Sequence, residues 1–160
     1  ANDDDFKVKE FTRNNQTLEE YLSEQVDFTF NDKKEIKVAR YIIGLLDTAG
    51  YLRVSTAEIS SLLKINEKII ENVLAKIQIL EPIGIAARDL PECLAIQAKK
   101  INVYDGIMKA IIDKYLPKVA EGKIKEIATL ENVEPIQVQE AIDIIRTFTQ
   151  NQEHLLVKKI

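Results

Sequence analysis

The chain has no Trp and, in 160 residues, one Cys, one His, one Met, five Gly and four Pro. Each scarcity excludes something. A single Cys forbids an internal disulfide and suits a reducing compartment. One Cys and one His cannot assemble a His/Cys zinc site, so no metal is expected. So few Gly and Pro do not supply the turns of a β-sandwich or barrel. Aromatics at 6% leave the core to Ile, Leu, Val and Ala. No apolar run approaches the ~18 residues of a membrane helix, and no N-terminal signal pattern appears, so the expected setting is the cytosol. Positive charge is also short. The net charge of −4 is the wrong sign for a domain whose main task is gripping phosphates.

Chemistry is equally thin. No Gly-rich phosphate loop, His pair or Ser/His/Asp set can be assembled, so no catalytic residue and no cofactor is expected. His154 lies in a polar tail. Cys93, beside Leu90 and Leu94, reads as a small buried hydrophobe. The carboxylates are spread along the chain, and no pair stands out as an acid/base site.

What is present is helical periodicity. Thr17 and Glu20 form a capping box that opens a helix over about 17–28. Asn31 is the expected cap of a second helix reaching Thr48, with Ile36, Ala39, Ile43 and Leu46 on one face. Its interior Gly44 suggests a close helix approach, and Gly50 suits a left-handed C′ position. Tyr51 and Leu52 follow as apolar anchors. Ser55 and Glu58 form another box before a short helix to Lys64, and Asn66 caps a helix through Leu80. Helices are expected over 89–100, with Pro91 in its first turn, over 105–116, stopped or bent by Pro117, and over 123–131 and 135–148. No segment alternates with period two long enough for a strand. The expected fold class is all-α, without a sheet.

The two halves repeat. Residues 56–80 align without gaps on 124–148, placing Ile59 on Ile127, Leu62 on Leu130, Ile70 on Val138, Leu74 on Ile142 and Leu80 on Phe148. Each copy is a short helix, a tight turn and a longer helix, a helix-turn-helix pattern. The expected division is a mobile acidic tail at 1–16, a helical-bundle subdomain at 17–81, a joint at 82–88, a second subdomain at 89–150 and a polar tail at 151–160. A stand-alone DNA reader is the alternative function, but it needs exposed base- and phosphate-binding side chains on the second helix. Helix 67–80 sets Lys68 and Lys76 against Glu67 and Glu71, and helix 135–148 sets Arg146 against Glu140 and Asp143.

The joint is dense in special residues. Pro82 ends a helix and biases Glu81 away from helical geometry. Gly84 permits a turn closed to other residues. Asp89 and Glu92 restart the chain with a capping signature. Gln78 and Gln97 can satisfy backbone groups near the break, and Arg88, a five-donor fork, can tie the loop or meet a partner.

These residues carry a resemblance. Ile77, Gln78, Leu80, Pro82, Gly84, Ala87, Arg88, Leu90, Glu92, Cys93, Leu94 and Gln97 match a long motif of the core-binding region of bacterial sigma-54 (sigma-N) transcription factors, with Glu81 and Ile85 as mild changes. Leu46-Asp47-Thr48-Ala49-Gly50-Tyr51-Leu52 is similar to a second family motif. Thr17-Leu18, Glu20-Tyr21-Leu22 and Glu24-Gln25 are similar to a third. The likeness covers about 17–148. The family's following Leu-x-Pro-x-Pro-Gly segment is replaced by Phe148-Thr149-Gln150-Asn151-Gln152-Glu153.

The resemblance implies a non-enzymatic module of transcription initiation that docks a sigma-54-type factor onto core RNA polymerase. It also implies contacts with other regions of the full-length factor. By the same resemblance the chain reads as a middle segment, with the Gln- and Leu-rich activator-responsive region and the promoter-reading domain outside it. Promoter DNA is then met only through those regions, and no membrane or small-molecule ligand is expected. The residues expected to meet the polymerase are Gly50, Tyr51, Leu52, Ile83, Ile85 and Arg88, on exposed turns. Gln78, Pro82, Gly84, Asp89 and Glu92 are expected to build the joint.

Overall fold

A computed structural model describes residues 16–151, with side chains described through Phe148. Both expected tails fall outside it except for Gln16 and Asn151, and His154 lies outside as well. Helices α1 (Leu18–Thr29), α2 (Lys33–Leu45), α3 (Thr56–Leu63) and α4 (Glu67–Ile77) precede the joint. After it come α5 (Leu90–Lys100), α6 (Gly106–Ala110), a π-helical turn (Ile111–Tyr115), α7 (Leu116–Ala120), α8 (Ile124–Glu131) and α9 (Pro135–Asn151). The all-α reading holds, and no sheet forms among the described residues.

Local chemistry sets most helix starts. Thr17 accepts from the Glu20 N–H while the Glu20 carboxylate accepts from the Thr17 N–H, the full box. Asn66 Oδ1 accepts from Lys68 N–H at 2.8 Å. Ser55 accepts from Glu58 N–H at 3.1 Å, the forward half of its expected box. The cap of α2 is Asp32 rather than Asn31. Its Oδ1 accepts from the N–H groups of Lys34 and Glu35, and a carboxylate at a helix N-terminus also meets the positive end of the macrodipole.

Three expectations are corrected. The second helix ends at Leu45, before Thr48, because the Asp47 carboxylate captures the N–H groups of Ala49 (3.0 Å) and Tyr51 (2.8 Å) in a side-chain turn. Gly50 therefore sits inside that turn at φ 90°, four residues past the C-cap, and is not its C′ residue. Gly44 is exposed, and a Cβ added there would meet nothing within 4 Å, so no close helix approach occurs. The interruption expected at Pro117 is present: Tyr115, two residues before it, leaves helical geometry at φ −119° and ψ 12°. The chain loosens into a π turn and resumes in α7 with Pro117 in the first turn.

The repeat is visible in the backbone. Lys64 (φ 56°) and Asn132 (φ 55°), equivalent positions, both cap their short helices in the left-handed conformation. The next residues, Ile65 and Val133, donate N–H to the equivalent carbonyls of Ser60 (3.2 Å) and Ala128 (3.0 Å). Equivalent positions are buried: Ile59 and Ile127, Ile70 and Val138, Leu74 and Ile142, Leu80 and Phe148. The principal helix contacts join α1–α2, α2–α4 and α3–α4 before the joint, and α6–α9, α8–α9, α5–α9 and α7–α8 after it. The buried side chains nevertheless form one continuous apolar cluster running through Ile85, Ala86, Ala87 and Leu94.

Lys64 adopts a conformation that disfavours a Cβ, so Lys64→Gly should stabilise the fold by about 0.5–1 kcal/mol. Asn132→Gly should gain less, because Asn tolerates the left-handed region better. Urea denaturation of both variants measures the difference, and equal gains would remove the backbone explanation.

Candidate functional site

The residues singled out by the sequence converge on one seam, where the Asp47–Leu52 turn, the joint and the first turn of α5 meet. Two backbone bonds join the loops: Leu52 N–H to the Ala87 carbonyl and Ala86 N–H to the Gly50 carbonyl, both 3.0 Å. The Glu81–Pro82 peptide is cis, and Pro82 is buried. Gly84 N–H then closes onto the Gln78 carbonyl at 2.8 Å.

Gly84 is required twice over. Its φ of +96° belongs to the region L residues avoid, and a Cβ there would lie 2.8 Å from Cys93 Sγ and 3.2 Å from the Cys93 carbonyl oxygen. The loop backbone thus lies directly on α5. Cys93 is fully buried, and burial pushes its thiol up to about 12, so it stays a neutral packing group. Gln97, also buried, bonds within the helix to the Cys93 carbonyl at 3.4 Å rather than to the break.

Glu92 is the polar centre. Its Oε1 accepts from the Arg88 N–H (2.8 Å), Arg88 Nε (2.8 Å) and Gln78 Nε2 (3.2 Å), and its Oε2 accepts from Arg88 Nη2 (2.5 Å). Gln78 Nε2 also reaches the Ala86 carbonyl at 3.2 Å. Burial pushes the Glu92 carboxyl up, but the bonds from Arg88 outweigh it and hold the group below the usual glutamate range. The bond to Glu92 correspondingly raises the Arg88 guanidinium. Asp89 caps α5 through Glu92 N–H at 2.9 Å, so Glu92 reaches back to Arg88 rather than to the cap residue.

A second cation completes the rim. Arg53 Nε bonds Asp47 Oδ2 at 3.1 Å, Arg53 Nη1 bonds the Arg88 carbonyl at 2.8 Å, and the guanidinium lies 4.5 Å over the Tyr51 ring. Burial pushes the Tyr51 phenol up to about 12. From α1, Gln25 grips Glu81 at both backbone groups: Nε2 to the carbonyl at 2.7 Å, and Oε1 from the N–H at 2.9 Å.

The structure brings all eleven predicted site residues to this seam, with a different exposure from the one expected. Tyr51, Leu52 and Ile85 are buried, as is Gly50, and Ile83 is half-buried. These turns are paired to each other, which points their apolar side chains inward. Arg88 remains exposed at the rim. Gln25, Asp47 and Arg53 belong to the site but were not among the predicted site residues, although Gln25 and Asp47 stand in the family motifs. Asp47 had a usable signal, an Asp four residues before a Tyr across a Gly-containing turn. Gln25 had only its place in the third family motif, because its partner lies 56 residues away. Among the described residues no group of three or more His, Cys, Asp or Glu is placed to hold a metal, and no helix is long and apolar enough to cross a membrane. The arrangement is a surface of paired loops tied to one carboxylate.

Residues 7–152 match the family described as sigma-54 factor, core binding domain. The chain is 32% identical over 146 residues to RNA polymerase sigma-54 factor 1 of Bradyrhizobium diazoefficiens, covering 91% of this chain and 30% of that protein. It is 35% identical over 147 residues to a putative RNA polymerase sigma-54 factor of Clostridium kluyveri, covering 92% of this chain and 32% of that one. The second sigma-54 factor of B. diazoefficiens shares 32% identity over 145 residues, 26% of its length. The chain therefore spans between about a quarter and a third of these relatives.

Gly84→Ala should destabilise the protein by about 2–4 kcal/mol through backbone strain and overpacking. Removing the thiol should relieve part of this, so Gly84→Ala with Cys93→Ala should cost less than the two singles added. Additive costs in urea melts would mean the Sγ contact is immaterial. Glu92, with its lowered carboxyl, contributes stability above the ordinary glutamate pKa and loses it as pH falls through the lowered value. Glu92→Gln should cost about 1–2 kcal/mol at pH 7, discounted for the half-exposed Arg88, and should flatten the acid limb of the stability profile. An unchanged acid limb would assign that limb to other carboxylates.

Proposed function

Because this chain belongs to the sigma-54 factor core-binding domain family, we propose that it docks a sigma-54-type transcription initiation factor onto core RNA polymerase. The observation that carries this reading is the family match across residues 7–152, which contains the whole seam. The role is non-enzymatic and set in the bacterial cytosol. The seam supports it physically: a surface whose loops are fixed by backbone pairing and by a carboxylate hub loses little conformational entropy on association.

The partner-facing part of the seam is Arg88 with half-buried Ile83. Gly50, Tyr51, Leu52 and Ile85 shape that surface from beneath. Gln78, Pro82, Gly84, Asp89 and Glu92 hold it in place. Contacts with other regions of such a factor complete the assembly, and promoter DNA is read by those regions. Direct DNA reading by either repeated unit has little support. The exposed face of α4 carries Lys68 and Lys76 against Glu67 and Glu71, and Arg146 on α9 lies 3.9 Å from Asp143.

The folded chain should bind purified core polymerase with a Kd of about micromolar or tighter, in the range of a specific interface. Fluorescence anisotropy measures it. No binding by a chain that melts cooperatively would overturn the proposal. Anisotropy with labelled duplex at low salt should show no tight, steeply salt-dependent complex, and finding one would favour the DNA reading.

A further inference from the structure

Gln25, on α1, holds Glu81 at both backbone groups: its Nε2 donates to the carbonyl at 2.7 Å, and its Oε1 accepts from the N–H at 2.9 Å. Among the described residues no other hydrogen bond to the backbone of Glu81 forms. The sequence dictates the shape of this contact. A residue before a proline is pushed to extended geometry, and an extended residue presents its N–H and C=O to one side, as a strand does to its neighbour. A side-chain amide answers both groups at once. A carboxylate lacks the donor, and Asn is shorter by one carbon.

This clasp lies at the surface. Gln25 is half-buried and Glu81 is exposed, so water would satisfy both backbone groups if the amide were removed. The two bonds are therefore not needed to rescue an orphaned donor. What they fix is position. Ile83, two residues on, makes no backbone hydrogen bond of its own among the described residues. It is held only through its neighbours. On one side stands the clasp at Glu81. On the other, Gly84 N–H meets the Gln78 carbonyl at 2.8 Å and Ile85 N–H meets the Pro82 carbonyl at 3.1 Å. The second anchor is internal to the joint and the end of α4. The first comes from a helix 56 residues away in sequence, so it sets the segment against the body of the fold.

We propose that Gln25 is a positioning residue for partner binding: its amide sets the placement of residues 81–83 and, through them, the presentation of Ile83 to core RNA polymerase. This rests on the proposed docking role and deepens it. Gln25 acts through Ile83 and not by touching the partner. It grips backbone, so its effect is independent of the Glu81 side chain. Without the clasp the segment samples several placements in the free chain, and the partner has to order it on binding.

The test measures binding of the full chain to purified core polymerase by fluorescence anisotropy, with thermal melts as a folding control. Gln25→Met keeps the length and helix propensity of the side chain and removes both bonds. It should melt cooperatively, exchange the Glu81 amide about tenfold faster by NMR, and bind about tenfold more weakly. Thr17→Ala removes the cap of the same helix without touching the joint, and should leave binding within about twofold. In an Ile83→Ala background the further loss from Gln25→Met should shrink to within about twofold, because both changes act on one contact. Unchanged binding or unchanged Glu81 exchange in Gln25→Met, an equal loss in Thr17→Ala, or losses that simply add in the double variant overturn the positioning role and leave the proposed function standing. A wild type that does not bind overturns both.

Discussion

The structure turns on one carboxylate. Glu92 stands in the first turn of α5 and receives four hydrogen bonds, three from Arg88 and one from Gln78. Those bonds tie the end of α4, the joint and the start of α5 to a single point. A half-buried acid is costly unless it is paired and hydrogen-bonded, and here it is both. Arg88 in turn presents its carbonyl to Arg53, which leans on Asp47, so the polar chain continues from α5 back to the end of α2. Beneath this rim the contact of Gly84 with Cys93 sets how closely the joint can lie on α5, and only a residue without a Cβ fits. The polar rim and the dry contact below it constrain the same few residues, which explains why so short a stretch is so particular in composition.

What was legible in the sequence followed interaction range. The caps at Thr17, Asn66 and Asp89 depend on neighbours two or three residues away, and each formed. The internal repeat was legible because it is a register of apolar spacing, and its αL caps at Lys64 and Asn132 fall at equivalent places. Asp32 displaced Asn31 because two good capping residues stood side by side and the chain used the charged one. Gly44 was misread because a glycine in a helix does not say which face it occupies. Its exposed position follows from the buried stripe Val38, Ala39, Ile42, Ile43.

The seam was half legible for the same reason. Its membership could be named from residue types, since Pro82, Gly84, Asp89 and Glu92 each have few conformational roles. Its exposure could not. Whether Tyr51 and Leu52 point outward depends on the pairing of Leu52 with Ala87, 35 residues on, and nothing local to the turn encodes that. Ala86 at φ 65° is another case: a non-glycine residue is held in the left-handed region because the loop around it, paired to Gly50 and Gln78, leaves no other path. The π turn at 111–115 stands just before Pro117, whose missing N–H leaves the preceding turn without a regular helical bond.

The two repeated units share a backbone plan and differ in what they leave outside. Both expose a leucine at the equivalent position, Leu62 and Leu130, and neither carries a surplus of positive charge on its longer helix. A helix-turn-helix that has to hold DNA needs that surplus, because phosphate contacts supply most of the non-specific affinity. With that demand absent, the motif serves as compact packing: a short helix, an αL cap and a longer helix bury one apolar face with few residues. The polar specialisation lies instead where the units meet, in the Asp47–Leu52 turn and the Glu92–Arg88 pair, which have no counterpart in the alignment of 56–80 with 124–148. The repeat supplies the packed body, and residues outside it supply the Glu92–Arg88 pair and the paired loops.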